Sequence, residues 1–245
     1  MFKEEYRSEG FDLISFLGFF SWLVLGPTIF ATIYVFFGAL ITGQSFNDYL
    51  NGIEPFAAYN YIFMVLSHFI GVVVFIWLYK KVLKQDAWNF KTNWIKYLIV
   101  ILAGFILLYV STDVMEIIYN KLGYEGITSQ NQQAIINALH GPTKTFVIIY
   151  TVILAPVFEE ILFRKLFFTV LRKYTKLPVW AIVVIVASVF AFLHVTDLES
   201  LVFFPQYFVL ALFITGAYAI TKENLYVSTG LHFLNNLVAV IDILL

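Results

Sequence analysis

The stretch Ala155-Pro-Val-Phe-Glu-Glu-Ile-Leu-Phe-Arg-Lys-Leu-Phe-Phe-Thr-Val-Leu171 sets Glu159, Glu160 and Arg164 inside an otherwise apolar run that begins at Phe146. Carboxylates in hydrocarbon are expensive unless they are paired or face water, so such a pair marks a functional site by default. The length of the apolar flanks makes this a membrane segment, and the rest of the chain agrees. Of 245 residues, 61% are hydrophobic and only 13% charged, where a soluble domain carries about 25% charge. The expected fold is therefore all-α: a polytopic membrane helix bundle with about seven transmembrane helices.

The net charge of −1 supplies no basic footprint, so nucleic acid is not an expected partner. Cysteine is absent, which excludes disulfides, thiolate catalysis and Cys-ligated metals together. The N-terminus does not read as a secretory signal. Lys3 and Arg7 are set against Glu4, Glu5 and Glu9, and the apolar run that follows is far longer than a signal's core.

Seven segments are long enough to span hydrocarbon, which needs about 20 apolar residues each: 13–41, 58–79, 97–118, 145–172, 178–195, 201–221 and 225–245. Gly26-Pro27 is expected to kink the first. The loops then divide unevenly. One side receives Lys3, Arg7, Lys80, Lys81, Lys84, Lys91, Lys96, Arg172, Lys173, Lys176 and Lys222, and the other only Lys121 and Lys144, eleven against two. The positive-inside rule puts the N-terminus in the cytoplasm and the C-terminus outside. Asp48, Glu54, Glu125, Asp197 and Glu199 cluster on the outer side. The one long loop, Asn120 to Pro142, contains a short amphipathic helix with Ser129 as N-cap and Ala134, Ile135, Ala138 and Leu139 on one face, read as an outer connector or a substrate gate. No internal repeat is visible, which weighs against a transporter. The chain divides into N-terminal helices and outer loop, 1–144, and a helical core, 145–245.

Within that core, Glu160 and Arg164 lie four residues apart and can pair on one helix face. Glu159 is rotated by about 100° from Glu160 and stays outside that pair, which leaves it available for general-base work. Pro156 removes the hydrogen bond to the Val152 carbonyl and is expected to bend the helix beside Glu159. Phe190 and His194 share a side of the fifth span, and His232 and Asn236 a side of the seventh, with Asn235 as the alternate amide. Each of these groups also has a structural reading, as packing or interhelical glue. At about 1.5 Å per residue from the inner surface, Glu159 and His194 reach a similar depth of roughly 20–25 Å, and His232 only about 12 Å. His68, Asp113 and Glu116 lack partners at helical spacing; His68 reads as packing and the two acids as boundary residues.

Together, Glu159-Glu160-x-x-x-Arg164, Phe190-x-x-x-His194 and His232-x-x-x-Asn236 resemble the motifs of the CAAX prenyl protease and bacteriocin-processing family (the Abi family) of intramembrane proteases. The resemblance covers Thr145 to Val240. It implies an endopeptidase in which Glu159 and His194 activate a water, His232 and Asn236 stabilise the oxyanion, and Glu160 with Arg164 and Phe190 supports the site. It implies membrane lipid and a peptide or membrane-protein substrate as partners, with a signalling or bacteriocin-system partner in a bacterial cytoplasmic membrane. No cofactor is favoured. If a metal takes part, zinc would be held by Glu159, His194 and His232, leaving one position for water. No Gly-x-Ser-x-Gly elbow or Gly-x-Gly-Asp motif points to another protease chemistry. The alternatives are a catalytically silent scaffold or bacteriocin-immunity protein of the same fold, and a small transporter using the same acids.

Overall fold

The computed structural model describes residues 10–52, 56–195 and 197–245. The N-terminal charges Lys3, Glu4, Glu5, Arg7 and Glu9, together with Glu54, lie outside the described residues, so the N-terminal reading and their part of the charge tally rest on sequence alone. Among the described residues there are nine helices and no strand. They are α1 (Phe11–Thr42), α2 (Phe46–Gly52), α3 (Phe56–Thr92), α4 (Trp94–Lys121), α5 (Gln130–Leu139), α6 (Lys144–Tyr174), α7 (Val179–His194), α8 (Glu199–Ile220) and α9 (Leu225–Leu244). The molecule is an integral membrane helix bundle. Each of the seven expected spans corresponds to a helix, and α5 is the short amphipathic helix, capped by Ser129 Oγ accepting from Gln132 N.

Among the described residues six helices are long and apolar enough to cross a membrane, and α7 is not one of them. Its 16 residues rise about 24 Å, short of a hydrocarbon core about 30 Å thick. The chain turns back directly after His194, where Asp197 accepts from Ser200 N at 2.8 Å and Ser200 Oγ at 2.9 Å at the tight first turn of α8. The short helix thus ends at a polar residue. The second span also differs from expectation. Lys80 to Thr92 continues α3 instead of forming a loop, since nothing in Lys80–Thr92 interrupts it with Gly or Pro. α1 runs unbroken through Pro27, and at the adjacent Gly26 a Cβ would meet Ser67 Oγ of α3 at 2.5 Å, so these helices touch there because the side chain is missing.

α6 is the axis of the bundle. In its most apolar window 56% of residues are buried, against 11–33% for the other five long helices. Its Phe158, Ile161, Leu162, Phe163, Leu166 and Phe168 anchor a core completed by Phe19 of α1, Phe75 and Tyr79 of α3, Phe190 of α7 and Tyr218 of α8. α4 closes the other side against α8 and α9 through Ile101, Leu108, Ile214 and Leu231.

At one end of the bundle, polar groups lock α3 to the start of α9. Asn224 Nδ2 donates to the Asp86 carbonyl at 2.7 Å, and Lys165 Nζ lies 3.9 Å from the Asp86 carboxylate. Asn224 is buried and also caps α9, accepting from Tyr226 N at 3.1 Å. α9 therefore begins inside the protein rather than at its surface. That has a direct consequence for His232.

Candidate active site

The local winding of α6 sets the site. Ile149–Leu154 and Glu160–Phe167 are π-helical, with the α-helical turn Ala155–Glu159 between them. Such stretches are rare and concentrate at functional sites. Ala155 N donates to Tyr150 O, five residues back. In that register the next donor would serve the Thr151 carbonyl, but the next residue is Pro156, which has no N–H. The carbonyl exposed by the proline is thus that of Thr151, not of Val152 as α-helical counting gives. Asn236 of α9 fills the gap: its Nδ2 donates to Thr151 O at 2.9 Å.

The two glutamates diverge. Glu160 is fully buried, 2.9 Å from Arg164 Nη1. Arg164 is equally enclosed, donating from Nε to Thr215 Oγ1 at 3.2 Å and from Nη2 to Ala211 O at 3.5 Å, with its guanidinium 4.7 Å above the Phe190 ring. Glu159 is 17% exposed and opens onto a cavity of about 400 Å³. His194, His232, Asn235 and Asn236 line the same cavity, so the three sequence motifs meet at one place.

Sequence counting placed His232 too shallow. In the structure its Nε2 lies 3.8 Å from Glu159 Oε2. The discrepancy disappears because α9 starts at the buried Asn224, already within the bundle. His232 Nδ1 donates to Glu160 Oε1 at 2.9 Å, and since a carboxylate only accepts, Nδ1 carries the proton and Nε2 is the nitrogen turned to Glu159. Glu160 therefore does two things, balancing Arg164 and orienting His232, and only the first was legible from spacing.

His194 is held differently. Its Nδ1 donates to Phe190 O at 2.8 Å, one turn back on α7, which leaves Nε2 as the acceptor nitrogen. Its ring stacks on Phe190 at 4.2 Å between centroids, and Tyr207 of α8 lies 5.1 Å from it. Phe190 thus contacts both Arg164 and His194, and its ring centroid lies 6.0 Å from that of His232. Thr151 and Tyr207, which line the cavity, were not singled out by sequence. Thr151 could be found only by knowing that α6 changes register, and Tyr207 carries no motif.

The zinc alternative requires Glu159, His194 and His232 to act as one ligand set. Glu159 and His232 are neighbours, but among the described residues no three His, Cys, Asp or Glu side chains gather as a metal-binding group. His194 thus shares the cavity with that pair without completing a three-ligand cluster. Of the other polar residues weighed, His68 is buried against Tyr150 and Phe158, with centroids 5.0 and 4.6 Å away, and Asp113 and Glu116 remain exposed on α4.

Residues 141–238 match the family model for type II CAAX prenyl endopeptidase Rce1-like proteins. The match takes in all three motifs and leaves the helices before α6 outside. No curated protein and no solved structure matches the chain. The matched segment carries the carboxylate, imidazole and amide groups that line the cavity. Over this segment, less than half of its length, the chain is similar to type II CAAX prenyl endopeptidase Rce1-like proteins.

Proposed function

We propose that the chain is an intramembrane endopeptidase in which Glu159 and His194 activate a water and His232 and Asn236 receive the oxyanion. The observation that carries this reading is the opening of all four side chains, from α6, α7 and α9, onto a single cavity. Glu159 takes a proton from the water as its oxygen bonds to the scissile carbonyl carbon, and His194 Nε2 orients that water. The oxyanion is met by an Asn236 N–H, since one of its two amide hydrogens is spent on Thr151, and by His232 Nε2 when the imidazole carries its second proton. The C–N bond then breaks and Glu159 returns the proton to the leaving amine, so one amide and one water become an acid and an amine. Preorganised donors in a site shut off from bulk water are the main source of rate in such chemistry.

Glu160 and Arg164 hold this machinery rather than react. The mechanism as drawn uses no metal. The substrate is a peptide or a membrane protein, and the enzyme sits in a bacterial cytoplasmic membrane with its N-terminus inside and C-terminus outside, an orientation supported by the eleven-to-two charge bias.

The test uses purified protein in liposomes with two peptides, one ending in a farnesylated CAAX sequence and one unlipidated with an internal apolar stretch, with products read by mass spectrometry. Cleavage of either that disappears in Glu159→Gln and His194→Ala supports the proposal, and the peptide that is cut identifies the substrate class. Full turnover in strong chelator is expected; activity lost to the chelator and restored by zinc overturns the metal-free version. No cleavage, combined with a wild-type cellular phenotype for both variants, would leave the protein as a scaffold of the same fold.

A further inference from the structure

One wall of the cavity is α5, the helix that the sequence offers as an outer connector or a substrate gate. α5 contributes Asn131, Gln132 and Ile135 to it, and the residue before the helix, Ser129, contributes as well. The two ends of α5 are held by different forces. At the C-terminal end Leu139 is fully buried among Val147 and Val152 of α6 and Val240 of α9. Freeing that end would expose apolar surface. The N-terminal end is fastened by hydrogen bonds. Ser129 Oγ and the Tyr207 hydroxyl share one at 2.6 Å, Gln130 N donates to Ser200 Oγ at 3.3 Å, and Asn131 Nδ2 reaches the Tyr207 hydroxyl at 3.5 Å. Water can replace such bonds at small net cost.

Tyr207 is where this fastening meets the chemistry. Its hydroxyl is the partner of Ser129, while its ring lies against His194, 5.1 Å away and tilted by 33°. The opposite constraints on His194 are fixed within α7: the stack on Phe190 and the hydrogen bond to the Phe190 carbonyl. His194 is therefore flanked by one ring from its own helix and one ring whose position depends on the fastening of α5.

We infer that Tyr207 is a positioning residue that couples closure of α5 over the cavity to the setting of His194. With Ser129 and Tyr207 bonded, α5 covers the cavity and Tyr207 completes the aromatic bracket around His194. With the bond broken, the N-terminal end of α5 swings out about its Leu139 anchor and admits an extended peptide. Hydroxyl and ring have separable jobs, access for the first and orientation of His194 for the second. The ring's role rests on the proteolytic reading above; the clasp does not.

The natural absence of cysteine makes the test direct. An Ile135→Cys protein in liposomes reports opening of α5 by its rate of maleimide labelling. Tyr207→Phe or Ser129→Ala, added singly, is expected to speed labelling by at least about fivefold, the effect of one net hydrogen bond, and the two together by less than the product of the single effects, because both remove the bond they share. Equal labelling in all four backgrounds overturns the clasp. With the peptide cleaved in the preceding assay, Tyr207→Phe is expected to change KM, and Tyr207→Leu, which lacks the ring, to give a kcat at least about tenfold below that of Tyr207→Phe, a loss of roughly 1.4 kcal/mol of transition-state stabilisation. Equal kcat in the Phe and Leu variants removes the ring's role. Thermal melting of each variant separates these outcomes from loss of the fold. Should wild type cut no peptide, the proteolytic reading fails while the labelling rates still decide the clasp.

Discussion

The bundle buries polar groups at two places and uses them in opposite ways. Around Asp86, the Asn224 amide, the Lys165 ammonium and the first turn of α9 close on one another, and the groups face protein on every side. Around Glu159, the same kinds of group are arranged so that Glu160 and Arg164 answer each other while Glu159, His194 and one side of His232 open onto empty volume. Both arrangements meet the requirement that buried polar groups find partners. The first spends its hydrogen bonds on joining α3 to α9 and on capping α9. The second keeps part of its hydrogen-bonding capacity in reserve, and that reserve is what chemistry needs. Burial of charge in a membrane is thus not by itself a sign of function; a buried charge that borders a cavity is.

Substitutions at the two places should break in different ways. The largest effect is expected for Glu159→Gln: peptide cleavage falls by about 10²–10⁴-fold, the range for loss of a general base, with no change in melting temperature. A parallel fall in melting temperature would erase the distinction between the open and closed groups. Next comes Glu160→Gln, which leaves Arg164 buried without its anion. Breaking a buried pair in this way costs about 3–5 kcal/mol, so chemical denaturation in detergent should show a large loss of stability together with lost activity as His232 is released. If Glu160→Gln behaves like Glu159→Gln, inactive but fully stable, the two carboxylates do not have separate jobs.

Asn236→Ala should come third. It removes a donor facing the cavity and uncovers the Thr151 carbonyl, and cleavage is expected to fall by about 10²-fold, the lower end for an oxyanion donor, measured as kcat at saturating peptide. The smallest effect belongs to the closed place. Asn224→Ala deletes the cap of α9 and its tie to Asp86, and should destabilise the protein by about 0.5–2 kcal/mol while the protein that remains folded cleaves at the wild-type rate. A fall in kcat without a fall in stability would show that the depth of His232 depends on that cap more finely than the geometry suggests.

Much of this was legible in the chain. The existence and order of the helices follow from apolar segments long enough to span hydrocarbon, and α5 follows from Ser129 and its apolar face. The pairing of Glu160 with Arg164 follows from four-residue spacing, because both lie on one helix and the spacing survives the local π winding. Less visible was the length of α3, where charge suggested a loop but unbroken helix-forming sequence continued. The partner of the carbonyl freed by Pro156 was also hidden. A π turn moves the acceptor by one residue, and nothing in Ile149–Leu154 announces that turn.

Sequence by itself determined that the chain is a helical membrane protein, which side chains on each helix share a face, and that Glu159 stands apart from Glu160. Those are matters of composition and of period along one helix, and they need no knowledge of neighbours. The tertiary structure alone decided that His232 lies beside Glu159, that Glu160 orients it, that Asn236 answers Thr151, and that Tyr207 touches both α5 and His194. Each of these depends on how deep one helix starts relative to another, and that depth is set by a buried cap at Asn224, a short α7 and a change of winding in α6. Spacing along a single helix carries no record of where its neighbours begin.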